Sequence, residues 1–85
     1  MTKKLTNVET RLDASGSLRP AAFNYAGKRI QVISYGRHWE ADGAHHFLVM
    51  DRQNRVYELA YDPVENSWEM IRTPDRFGPQ RPHAA

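Results

Sequence analysis

The chain has 85 residues, of which 40% are hydrophobic and 26% are charged, with a formal net charge of +2 and no cysteine. This length accommodates one domain with a modest core, and the lack of cysteine excludes disulfide bonds and thiolate zinc sites. No apolar run is long enough for a transmembrane helix, and the N-terminal lysines precede no apolar signal stretch, so we expect a small cytoplasmic domain.

The first part of the chain predicts one marginal strand, around residues 8–12, and then a turn at residues 13–17. The turn is predicted because Asp and Ser side chains bond nearby backbone and Gly permits positive φ. Phe23 and Tyr25 then alternate as in a strand over residues 21–25. Ala26-Gly27 predicts a tight reversal at the end of that strand.

Residues 28–39 form the longest β-rich run in the sequence, with Ile30 and Val32 on one face. Gly36 interrupts this run, and a glycine inside a strand typically marks a bulge or a sharp bend. Small barrels use such a bend to let one long strand serve two sheets. The pattern therefore predicts a switch between sheets at Gly36, after which Trp39 turns to the core.

Three further strands are predicted over residues 45–51, 55–61 and 67–72. A polar hairpin loop at residues 52–54 separates the first two, and a turn built on Asp62-Pro63 separates the last two. Alternation along the strands predicts one shared core face. The predicted core comprises Tyr57, Leu59, Ile30, Val32, Phe47, Val49, Trp68 and Met70, with Phe23 and Trp39 as further core rings.

These elements predict an all-β fold, a single antiparallel meander of about five strands closed into an SH3-like or rolled small barrel. Closure is expected because a flat sheet of this size would leave long unprotected edges. The predicted domain spans residues 1–72. Residues 73–85 contain three prolines and one glycine, and they predict a disordered or loosely packed tail.

Residues 20–71 resemble a family of small bacterial β domains that has no assigned function. The resemblance is carried by core and turn residues: Pro20, Phe23, Tyr25, Gly27, Ile30, Val32, Trp39, His46-Phe47-Leu48-Val49, Val56-Tyr57-Glu58-Leu59, Trp68 and Met70. Tyr25 stands where the family pattern has Trp. The resemblance implies a short β domain, found in some genomes near DNA-repair genes, and it carries over no catalytic residue, because none is assigned in that family.

Charge is unevenly distributed along the chain. Residues 14–39 carry four cations and no acid, whereas residues 40–71 carry seven acids and two cations. Aromatic residues interleave with the basic ones, a pattern typical of small barrels that bind single-stranded nucleic acid. The residues proposed for such binding, or for binding another partner, are Lys28, Arg29, Tyr35 and Arg37.

The main hypothesis from the sequence is a protein-interaction or accessory module. A basic half and an acidic half allow association with a partner or with a second copy, and an exposed edge strand allows β-augmentation. Ile33 and Tyr35, opposite the expected core face, are a candidate partner patch. Alternatively, Lys28 and Arg29 pair within the chain with Asp51 or Glu58.

A metal-dependent enzyme is the third hypothesis, since His38, His45 and His46 cluster in the sequence. The spacing matches no established ligand pattern, and adjacent residues on a strand point to opposite faces. No serine or threonine has an evident base beside it, and no glycine-rich phosphate loop is present. We therefore expect no enzyme, no cofactor and no metal site.

Overall fold

The computed structural model describes residues 3–77, apart from the side chain of Arg76. These residues form eight strands and one short 3-10 helix. The strands are β1 (Lys3–Leu5), β2 (Glu9–Leu12), β3 (Leu18–Tyr25), β4 (Lys28–Gln31), β5 (Ser34–Ala41), β6 (Ala44–Met50), β7 (Val56–Asp62) and β8 (Ser67–Arg72), followed by the 3-10 helix Pro74–Phe77.

The strands form two antiparallel sheets. One sheet has five strands in the order β1-β8-β7-β6-β5, and the other has three in the order β2-β3-β4. The all-β prediction is confirmed, whereas the count of about five strands is wrong because the N-terminal segment and the central run each contribute two strands. The hydrogen-bonded strands of residues 3–77 do not close into a barrel, so the barrel stays a prediction.

The central run does serve both sheets, but it changes sheet before Gly36. The amide of Val32 donates to the carbonyl of Ala21 in the three-stranded sheet, and the next amide, that of Ile33, donates to the carbonyl of Met50 in the five-stranded sheet. Gly36 lies in a bulge, because the register of β5 against β6 shifts between Tyr35 and His38. The bulge was predicted, and the position of the switch was not.

The core lies between the two sheets, where apolar side chains of both inner faces meet. Its buried members are Phe23, Ile30, Val32, Phe47, Val49, Tyr57, Leu59, Trp68 and Met70. Apart from Trp39, the predicted core residues are therefore confirmed. The Phe23 and Tyr57 rings meet edge to face with centroids 5.1 Å apart and so join the sheets. Burying one such side chain stabilises the fold by about 1.5–3 kcal/mol.

Trp39 is the exception among the predicted core rings. It pairs across from His46 on β6, whereas its neighbour His38 pairs with the buried Phe47, so Trp39 lies on the outer face of the sheet. The bulge at Gly36 does not turn it inward, and the indole is half-buried.

The chain leaves the five-stranded sheet at Thr73 and makes a single 3-10 turn. The Arg72 guanidinium lies 4.3 Å from the centroid of the Phe77 ring, which holds this turn against the sheet. The rest of the predicted tail, residues 78–85, lies outside the described residues. Within residues 3–77, no helix is long and apolar enough to cross a membrane.

Candidate functional site

An open cleft of about 360 Å³ lies between β4 and the turn that joins β6 to β7. Its floor includes Ile30 and the side chain of Ile33, which is 52% exposed. The remaining lining is polar and mostly basic: Lys28, Arg29, Gln31, Asp51, Arg52, Gln53 and Arg55. The cleft thus brings two cations of the basic segment together with two cations from the acidic half of the sequence.

The wall formed by the β6–β7 turn is built around the carboxylate of Asp51, which is only 5% exposed. One carboxylate oxygen accepts from the amides of Gln53 and Arg55, at 2.8 and 3.0 Å. The other accepts from Arg55 Nε at 2.8 Å and from the Tyr57 hydroxyl at 2.9 Å. Burial raises the pKa of Asp51, but these hydrogen bonds outweigh it and the pKa is lowered.

Two of the four cations in the cleft are already neutralised. Arg29 makes a two-pronged ion pair with Glu9, with Nε and Nη2 at 2.7 and 2.8 Å from the carboxylate oxygens. Arg55 is paired with Asp51. Lys28 and Arg52 are exposed and form no ion pair within residues 3–77. The cleft therefore presents two uncompensated positive charges beside an exposed apolar side chain.

The residues predicted for binding are divided among three places. Lys28 and Arg29 line the cleft, on β4. Tyr35 donates its hydroxyl to the carbonyl of Pro20 at 2.6 Å, with the Arg19 guanidinium 5.3 Å from its ring centroid. Arg37 lies over the Trp39 ring, 5.6 Å from the centroid, on the outer face of β5.

The predicted partner patch and the predicted internal ion pairs are also revised by these contacts. Ile33 is exposed as expected, but Tyr35 is half-buried and its hydroxyl donates a hydrogen bond to the carbonyl of Pro20. Arg29 pairs with Glu9 and not with Asp51 or Glu58.

The three candidate metal-ligating histidines lie on both faces of the five-stranded sheet. The rings of His38 and His45 share the core side with centroids 6.2 Å apart, and His38 stacks on Phe47 at 4.6 Å. His46 lies on the outer face, stacked on Trp39. Within residues 3–77, no three His, Asp or Glu side chains group closely enough to hold a metal ion.

A buried charge network lies beneath Trp39 on that outer face. The carboxylate of Glu58, only 5% exposed, is 2.9 Å from His46 Nδ1 and accepts from Arg72 Nε at 2.8 Å. A buried carboxylate needs such partners, since an unpaired buried charge is strongly destabilising. The network ties β6, β7 and β8 together, and we assign it a structural role.

Sequence reasoning missed Arg52 and Arg55 as members of the site. Arg52 begins the polar hairpin loop at residues 52–54 and Arg55 follows it, so a signal was present in the sequence. Their position opposite β4 depends on packing between the sheets. No family model, curated protein or solved structure matches this chain, so the functional argument depends on the geometry alone.

Proposed function

We propose that this chain is a protein-interaction module that receives an acidic segment of a partner protein in the cleft between β4 and the β6–β7 turn. The observation that carries the proposal is the pair of uncompensated cations, Lys28 and Arg52, in one cleft with the exposed Ile33. Carboxylates of the partner would neutralise the two cations, and an apolar side chain would cover Ile33.

The test is an amide-shift NMR titration with a short peptide rich in Glu, Asp and Leu. We expect the shifts to cluster on β4 and on residues 51–55, and to weaken at raised salt because exposed ion pairs are screened. Lys28→Gln and Arg52→Gln should each weaken binding by about two- to fivefold, the usual range for one exposed charge pair.

Arg11→Gln is the matched control for this titration. Arg11 is also an exposed cation, but it lies on β2, at the other edge of the three-stranded sheet from β4. Its loss should leave the affinity unchanged. Equal weakening by all three variants would mean that net charge alone attracts the peptide, and the proposed site would then be rejected.

Single-stranded nucleic acid is a second candidate ligand, which the Arg37–Trp39 pair favours. A half-exposed indole with a guanidinium over it offers a stacking surface for a base and a cation for a phosphate. An oligonucleotide should then shift the amides of β5 first and quench Trp39 fluorescence. Shifts confined to β4 and residues 51–55 would instead mean that the oligonucleotide binds the cations of the cleft, and would rule out stacking on Trp39.

We also propose that the two sheets are an open form of the small SH3-like barrel predicted from the sequence. The support is the passage of residues 28–39 from one sheet to the other, as in the long strands of small barrels.

A further inference from the structure

Within residues 3–77, strand β5 is one of the two edges of the five-stranded sheet, opposite β1. At eight residues it is longer than the other edge strands of the two sheets, β1, β2 and β4. Natural proteins protect long edges with charged side chains, lysine above all, and with proline, bulges or covering segments. β5 carries Arg37 and Glu40 but neither lysine nor proline, and its bulge affects only the part between Tyr35 and His38, which leaves residues 38–41 in regular strand geometry.

The register of the hairpin shows which backbone groups face the free side. Asp42 and Gly43, with φ of 52° and 78°, make a two-residue turn between the paired residues Ala41 and Ala44. In such hairpins the two residues that flank the turn exchange backbone hydrogen bonds with each other. Every second residue along the strand likewise bonds to the partner strand, and the residues between point their backbone groups the other way. Ala41 and Trp39 therefore bond to β6, while the N–H and C=O groups of His38 and Glu40 point away from the sheet.

We propose that β5 pairs with β5 of a second copy, antiparallel across a two-fold axis at Trp39. A two-fold axis perpendicular to the sheet keeps the outer faces of both copies on the same side. Because side chains alternate between the faces along a strand, residues paired across the axis must be both odd-numbered or both even-numbered. With Trp39 on the axis, His38 of each copy lies opposite Glu40 of the other, and both residues present the outward backbone groups that the pairing needs.

Charge complementarity selects this register. The alternative with His38 on the axis would place two imidazoles opposite each other and each Glu40 opposite Gly36. With Trp39 on the axis, each imidazole can donate to a carboxylate, and the two indoles meet on the outer face. Glu40 is available for this contact, because its side chain is 74% exposed and its contact with His45 is long, at 3.5 Å.

The test is the oligomeric state, measured by sedimentation velocity from micromolar to millimolar protein. We expect a reversible dimer whose formation protects the amides of His38 and Glu40 from hydrogen exchange. Glu40→Lys should weaken dimerisation about tenfold or more, because the carboxylate that accepts from His38 is lost on both sides of the axis. The double variant His38→Glu/Glu40→Lys places a carboxylate opposite an ammonium group across the axis and should restore dimerisation.

Glu65→Lys is the control, since it makes the same charge change in the exposed β7–β8 turn. It should leave the dimer intact. A monomer at all concentrations, a dimer indifferent to Glu40→Lys, or protection elsewhere than at His38 and Glu40 would each overturn the proposal. The pairing is independent of the acidic-peptide cleft, because the cleft-lining residues precede Ser34 or follow Met50, outside β5.

Discussion

At the scale of single residues, the structure of the cleft wall depends more on the buried carboxylate of Asp51 than on the exposed cations. Asp51 accepts four hydrogen bonds, two from backbone amides and two from side chains. It connects the exposed turn to Tyr57 in the core. An exposed ion pair contributes little to stability, whereas the loss of an acceptor at a buried donor costs more.

We therefore expect Asp51→Asn to lower the free energy of unfolding by about 1–3 kcal/mol. The amide oxygen of Asn can still accept from the two backbone amides, but its NH₂ group cannot accept from Arg55 Nε. Urea unfolding at neutral pH measures the change. Asp62→Asn is the matched control and should be near neutral, because within residues 3–77 the Asp62 side chain accepts only from the amides of Val64 and Glu65, through one oxygen that asparagine keeps.

The same carboxylate gives a dependence on acid. The pKa of folded Asp51 lies below its ordinary value of 3.8, so its contribution to stability is present above that value and is lost as pH falls through the folded pKa. Wild type should lose more stability than Asp51→Asn as pH falls below 3.8. Parallel losses in the two proteins would contradict this assignment.

At the scale of elements, the turns decide where strands begin and end. Ala26 and Gly27 both have positive φ, 53° and 76°, and connect the paired residues Tyr25 and Lys28. This is the geometry of a type I′ hairpin turn, for which Asn-Gly is the preferred sequence. Alanine at its first position is strained, because its Cβ crowds the backbone at positive φ.

Ala26→Asn should therefore stabilise the fold by about 0.5–1 kcal/mol, because asparagine tolerates the left-handed region better than alanine. The thermal midpoint is the measurement, with unchanged sheet structure by circular dichroism. Gly27→Ala, at the adjacent position, should destabilise the fold, although a Cβ there meets no atom within 4 Å. If both variants changed stability in the same direction, backbone strain would not be the cause.

Most elements could be predicted from local patterns, and their assignment to sheets could not. Neighbouring residues are enough to predict the strand from the alternation of Tyr57 and Leu59. They are also enough to predict the turn at Ala26-Gly27. The switch between Val32 and Ile33 depends on the carbonyls of Ala21 and Met50, which are far apart in the sequence. Gly36 was the stronger local signal, but it marks only the bulge.

At the scale of the whole molecule, the ion pairs of Arg19, Arg29, Asp51 and Glu58 do not join the basic half of the sequence to the acidic half. Arg29 and Arg19 pair with Glu9 and Asp13, from the N-terminal segment. Glu58 and Asp51 pair mainly with His46, Arg72 and Arg55, from the C-terminal part. The sequence identified Lys28 and Arg29 as cations available for binding. Because Arg29 pairs with Glu9, only Lys28 of these two remains without a compensating charge.

The two sheets are also joined by a titratable group. Tyr57 is 1% exposed and meets the rings of Phe23 and Tyr25 from the three-stranded sheet, while its hydroxyl donates to Asp51. Burial, together with the hydrogen bond to Asp51, raises the pKa of Tyr57 from 10.0 to about 12. Folding therefore favours the neutral phenol over the phenolate.

Because the folded pKa exceeds the unfolded one, this contribution is fully present below pH 10 and is lost as pH rises to about 12. A shift of this size corresponds to a loss of about 2–3 kcal/mol. Other tyrosines and the lysines titrate in the same range, so the informative quantity is the difference from Tyr57→Phe. That variant should be about 1 kcal/mol less stable than wild type at neutral pH, because Asp51 loses a donor. Its stability should then fall less steeply than that of wild type as pH rises. Urea unfolding at about pH 9 and about pH 12 measures the loss of stability in each protein, and equal losses would show that folding does not raise the pKa of Tyr57.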